Sequence, residues 1–227
     1  MSEPPKRGRV HDAEGAREAI LNAAEKVFAE HGFDGARVDL IAKTAGYNKS
    51  LIFQYFGDKL GVYDAVIRRA DKNTSEMQAY FFSSLLDDDA PLDADKFKSL
   101  LKKLLRNYFD YLVQNPSYMH ILMWEMAEGW QTTMKILSQR DLEDVERFKL
   151  LIEKARDAGL LQPGFSSVAL LVMVEFIFPC FLSLAPLIQH IQSNEDVTSA
   201  AAIARARDYM IDFVIRGLLI DSPGGNP

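Results

Sequence analysis

The side chains best spaced to do chemistry lie between Val38 and Lys59. At 100° per residue along a helix, Ser50 and Gln54 share one side while Ile52 and Phe56 share another. An exposed glutamine pairs bidentately with adenine in a major groove, and a serine hydroxyl serves several base edges. Leu51 and Phe53 flank the polar side, and Leu51 offers an apolar contact to a thymine methyl. Lys49, Tyr55 and Lys59 carry donors suited to phosphate oxygens, which position a protein without reading sequence.

No other chemistry is spelled out. His11, His31, His120 and His190 are scattered, with neither HxxxH nor Cys/His metal spacing, so no metal site is expected. There is no G-x-S-x-G elbow, P-loop or dinucleotide fingerprint, and neither catalytic residues nor cofactors are expected. The lone Cys180 sits in an apolar stretch and reads as a small hydrophobe. It allows no disulfide within the chain, which fits a reducing cytoplasm. The polar, basic N-terminus has no apolar core of a secretory signal.

The elements that must position the polar side are helical throughout, so the fold class is all-α. Residues 1–12 read as a flexible arm, whose Arg7 and Arg9 suit an adjacent minor groove. Ile20, Ala24, Val27, Phe28 and His31 mark one face of a first helix over 16–31, ended by Gly32. Val38, Ile41, Ala42 and Ala45 mark a second, broken at Gly46. Asn48 caps a third helix running to Phe56, and Asp58 caps a fourth with Leu60, Tyr63, Val66 and Ile67 inside. Two short amphipathic helices around a glycine turn make a helix-turn-helix. Beyond an acidic loop at 85–95, helices are expected over 97–114, from Pro116, over 129–157, over 168–191 and over 198–220. The tail at 222–227 is expected to be disordered.

The motifs Ala29–Gly32–Phe33, Ile41-Ala42-Lys43-Thr44-Ala45-Gly46 and Phe53-Gln54-Tyr55-Phe56-Gly57-Asp58-Lys59 together resemble the TetR family of bacterial repressors. The resemblance covers about residues 16–67. It implies a recognition helix bearing Lys49, Ser50, Leu51, Phe53 and Gln54, with Tyr55 and Lys59 on phosphates. Thr44 and Tyr47 complete the expected DNA-facing set. Three positions depart from the pattern. Ala36-Arg37 replaces a hydroxyl pair, leaving Arg37 as a substitute phosphate contact; Tyr47 replaces a small aliphatic; Phe53 replaces a tyrosine. The resemblance further implies a DNA-binding domain at 1–57, a ligand-sensing and dimerisation domain at 58–221, and a homodimer that joins its last two helices in a four-helix bundle.

Charge and composition fit that outline. Residues 1–72 hold 12 basic and 11 acidic side chains; residues 73–227 hold 14 and 21. Nothing coats nucleic acid with such a balance, so DNA binding must rest on well-placed groups. Residues 168–191 are apolar enough to raise a membrane span, but Glu175, Pro179 and Pro186 argue for a buried soluble helix. That segment and 198–219, with Ala202, Ala206, Tyr209, Met210, Phe213 and Leu218, form the expected dimer interface. Tyr108, Phe109, Leu112, Met119, Met123, Trp124, Met134 and Phe176 suit a pocket for a small apolar or amphipathic effector. Glu175 there either anchors a cationic ligand or pairs with Arg207 or Arg216. The expected function is a repressor released from a palindromic double-stranded DNA operator by that effector. The alternatives are an interaction protein that keeps the fold without binding DNA, and an enzyme built from distant residues.

Overall fold

The computed structural model describes residues 7–86, 92–138, 143–164, 166–191, 194 and 196–220. The acidic run at 87–89, the side chains of Arg7, Arg9 and Glu175, and the tail at 222–227 lie outside the described residues. Every regular element described is a helix: α1 (Arg7–Gly35), α2 (Val38–Ala45), α3 (Lys49–Phe56), α4 (Lys59–Leu86), α5 (Ala94–Gln114), α6 (Pro116–Ala127), α7 (Gln131–Leu137), α8 (Glu143–Asp157), α9 (Ser167–Ile191) and α10 (Ala200–Leu218). No described helix is long and apolar enough to cross a membrane.

Two compact units form. The first comprises residues 1–73 with 115–140, the second 74–114 with 141–227. Ile20, Ala24, Val27 and Phe28 of α1 make the floor of the first core, with Ile41, Ile52, Val62, Tyr63 and Val66 above them. Ile121 of α6 and Ile136 of α7 join the same core. By packing, therefore, the N-terminal unit does not stop at residue 57; it takes in the start of α4 and a segment expected in the body.

Two sequence expectations are corrected here. First, α1 starts at Arg7, inside the segment expected to be a flexible arm. Second, 129–157 is not one long helix. Trp130 adopts left-handed φ of 62° before α7, and α8 begins only at Glu143. The reason is that the apolar pattern serves two cores: Thr132 and Ile136 are buried in the first unit, Leu151, Ile152 and Ala155 in the second.

The second unit packs α5 (Phe97, Leu101, Leu105, Phe109, Leu112) with α10 (Met210, Ile211, Val214, Leu218) and Phe178 of α9. Ion pairs Lys102–Asp212 at 2.6 Å, Arg106–Asp208 at 3.0 Å and Arg207–Asp110 at 2.7 Å lace α5 to α10. A bridge between Leu161 and Leu219 ties down the end of α10.

Candidate nucleic-acid interface

The turn between α2 and α3 is built from backbone chemistry. Gly46 takes φ 75° and ψ 21°, the left-handed cap that a side chain resists. The Tyr47 N–H then donates to the Ala42 carbonyl at 3.1 Å. Asn48 caps α3 by accepting from the Leu51 N–H at 2.8 Å, as its sequence position demands. At the start of α2, Arg37 holds the cap position with no side-chain cap hydrogen bond, so the missing hydroxyl is not replaced there. Ala36 is buried beneath it.

Helix α3 presents two sides. Ile52 is fully buried, and Phe56, Leu51 and Tyr55 pack half-buried around it. Ser50, Gln54 and Lys49 are exposed, and Phe53 keeps 39% of its surface open, high for an aromatic ring. Leu51 is therefore not on the outer side as expected. It shares an i,i+4 stripe with Tyr55 along the edge of the core, leaving Ser50, Gln54 and Phe53 as the outward set. Thr44 is exposed at the end of α2, whereas Tyr47 leans on the core.

Two of the expected phosphate donors, Lys59 and Lys49, already have protein partners. Lys59 donates to the Asp34 carbonyl at 3.2 Å and lies 4.5 Å from the centre of the Phe33 ring. Lys49 pairs with Asp39 at 3.1 Å. Arg17 of α1, which sequence reasoning did not single out, lies 5.3 Å from the Phe56 ring centre, bringing a cation to the foot of α3.

Three devices hold this surface on α4, and of these the sequence showed only the Asp58 cap. Asp58 accepts from the Gly61 N–H at 2.8 Å, capping α4, and Gly61 itself sits so close to the Phe56 carbonyl that no Cβ fits. Arg69 reaches α1, donating to Glu18 at 2.9 Å and Asn22 at 2.6 Å, and also pairs with Glu25. Glu125 of α6 is only 1% exposed, yet its carboxylate is satisfied. It accepts from the Tyr63 hydroxyl of α4 at 2.7 Å and from the Thr133 N–H of α7 at 3.1 Å. Burial, then the bond to Glu125, push the Tyr63 hydroxyl pKa far above the usual tyrosine range. The only legible hint was a glutamate within the apolar run of α6.

The candidate effector residues are divided between the two units. Phe109 and Leu112 are buried in the second unit, with Phe109 edge-on to Phe178 at 5.2 Å and Tyr108 6.1 Å from that ring. Phe176 is exposed on α9. Met119, Met123, Trp124 and Met134 belong to the first unit. Trp124 packs on Gly32 and donates its indole N–H to the Ala29 carbonyl at 3.1 Å, a clamp between α6 and α1. Arg207, one expected partner of Glu175, is engaged by Asp110 and Asp208.

Comparisons with known proteins agree with this geometry. A family model described as bacterial regulatory proteins, tetR family, matches residues 20–66. A second, described as tetracyclin repressor-like, C-terminal domain, matches residues 98–214. The transcriptional repressor NicS of Pseudomonas putida is 26% identical over 92% of this chain and 95% of its own. The transcriptional regulator RutR of Escherichia coli O157:H7 is 31% identical over 70% of this chain and 69% of its own. A TetR-family regulator structure from Marinobacter aquaeolei superposes with a TM-score of 0.64 at 18% identity, covering 94% of this chain and 100% of the other.

Proposed function

Because the chain belongs to the TetR family of bacterial regulatory proteins and is a transcriptional regulator, we propose that it acts as a homodimeric repressor whose α3 reads a palindromic operator. The observation that carries this is the outward set Ser50, Phe53 and Gln54, on a helix whose opposite side is locked by Ile52. A rigid helix with free polar groups on one side is what direct readout requires. NicS and a second relative, SCO4008 of Streptomyces coelicolor (27% identical over 72% of this chain and 76% of its own), are both named as transcriptional repressors, which supports repression as the sign of control.

Dimerisation is supported by two stripes. On α9, Met173, Phe176, Leu184, Leu187 and Ile191 are exposed at spacings of three, eight, three and four, which places them along one side of the helix. On α10, Tyr209 and Phe213 are exposed, while Ala202, Met210 and Leu218 turn inward. The expected interface on α10 thus narrows to its outer side. Such stripes, left in water, are costly, and a two-fold copy covers them. In the dimer the two α3 helices sit about 34–36 Å apart, one turn of DNA.

The effector is a small apolar or amphipathic molecule, acting in the cytoplasm on a two-state equilibrium. It must prefer the DNA-released state, since equal affinity for both states shifts nothing. The candidates for its contacts are those expected from the sequence: Tyr108, Phe109, Leu112, Met119, Met123, Trp124, Met134, Glu175 and Phe176. The test is a fluorescence titration against fragments of the protein's own upstream DNA at two salt concentrations. Tight, salt-sensitive binding that is lost on Ser50→Ala/Gln54→Ala is expected. These exposed positions make a cleaner probe than Tyr55 or Lys59, which also support the core. Equal binding by wild type and variant at every fragment refutes readout by α3.

A further inference from the structure

Lys49 occupies the first position of α3, where the positive end of the helix dipole disfavours a cation. Two neighbours hold it there. Asp39 of α2 approaches its ammonium at 3.1 Å and 3.3 Å through its two carboxylate oxygens, and the Phe53 ring centre lies 5.8 Å away. Asp39 is itself largely exposed, beside the surface expected to meet polyanionic DNA. A carboxylate there weakens phosphate attraction, so a simple backbone-gripping role for the pair is poorly served by it. The first residues of a recognition helix meet base edges rather than phosphates.

We propose that Asp39 and Lys49 together read one base pair, with Lys49 over a keto base and Asp39 over its amino partner. This rests on the DNA-reading role of α3 proposed above. On the major-groove edge of any base pair, a keto oxygen and an amino nitrogen stand side by side. The Watson–Crick hydrogen bond between them spaces them at about 2.9 Å. The Lys49–Asp39 separation of 3.1 Å matches that spacing with opposite polarity. The ammonium donates to guanine O6 or thymine O4, while the carboxylate accepts from cytosine N4 or adenine N6. Reversing the pair sets ammonium against amino group and carboxylate against keto oxygen, two repulsions at once. Guanine is favoured over thymine under Lys49, because its N7 adds a second acceptor where thymine carries a methyl. The order of preference under Lys49 is therefore guanine, then thymine, with adenine and cytosine rejected.

The test is selection of random double-stranded DNA by the full-length protein, followed by sequencing, for wild type, Asp39→Ala and Lys49→Ala. Wild type is expected to show one position per half-site confined to keto bases, with adenine and cytosine depleted on the order of ten- to a hundredfold. Each variant is expected to flatten that position while the rest of the motif persists. Both side chains are exposed, and thermal unfolding checks that the fold is kept. A Lys49→Ala protein that keeps the full motif but loses affinity uniformly, with a salt slope lower by about one, makes Lys49 a phosphate contact and overturns the assignment. Variants with every position unchanged overturn it as well. A wild type that enriches no motif overturns the DNA-reading role of α3, and this assignment with it.

Discussion

Replacing Gly61 with alanine is the sharpest local test of how α3 is held. Gly61 lies in the first turn of α4, and its conformation is an ordinary helical one. Propensity alone favours alanine at such a site by about 1 kcal/mol. Packing predicts the opposite sign. The added Cβ falls well inside 3.0 Å of the Phe56 carbonyl oxygen, which is backbone and has no rotamer to yield. The last turn of α3 must then move on the order of an ångström from α4, straining the Asp58 cap. Overpacking of this kind costs roughly 1–3 kcal/mol beyond the propensity gain. For a chain of this length each kcal/mol shifts Tm by about 2–4 °C, so a fall of roughly 2–12 °C is expected. Differential scanning calorimetry measures it, and a DNA titration should show weaker operator binding, because α3 is the element displaced. A Gly61→Ala protein with an unchanged or higher Tm refutes the close-approach argument.

Other perturbations follow from the same contacts. Glu125→Ala strands the Tyr63 hydroxyl and the Thr133 N–H in the core, and a loss of about 2–5 kcal/mol in denaturant unfolding is expected. Because the folded state raises the Tyr63 pKa, it keeps a proton that the unfolded chain releases above about pH 10. Stability should therefore fall as pH rises past that point, and Tyr63→Phe should lessen the slope measured by urea titration at several alkaline pH values. Arg69→Ala frees α4 from Asn22 and Glu25 on α1, costing about 1–2 kcal/mol, with little from the more exposed Glu18. Tyr209→Glu with Phe213→Glu should leave the fold intact yet shift the mass found by sedimentation toward the monomer, since both side chains face outward on α10.

What could be read from the sequence is what the chain decides locally. Gly46, the Asn48 cap and the apolar faces of α1 to α3 are set by residues within a turn or two of each other, and the helix-turn-helix was legible from them. Partners distant in the chain were not. Lys59 reads as a free phosphate donor until Asp34 and Phe33 are seen around it. Arg69 and Glu125 become meaningful only when α1 and α4 or α4 and α6 pack, 44 and 62 positions apart. The same limit explains the body. Aromatic and methionine side chains signal apolar surroundings without saying which core they enter, so Trp124 and Phe109 were grouped together although they serve different units. The run from 129 to 157 kept helical spacing on both sides of its break.

The central claim, that a two-fold pair of α3 helices reads DNA, is tested most directly by footprinting. Genomic fragments retained by the protein would be cleaved with hydroxyl radicals in its presence. The expected result is two protected patches of inverted sequence, centred about one helical turn apart, both lost with Ser50→Ala/Gln54→Ala. Uniform or absent protection on every retained fragment would contradict it.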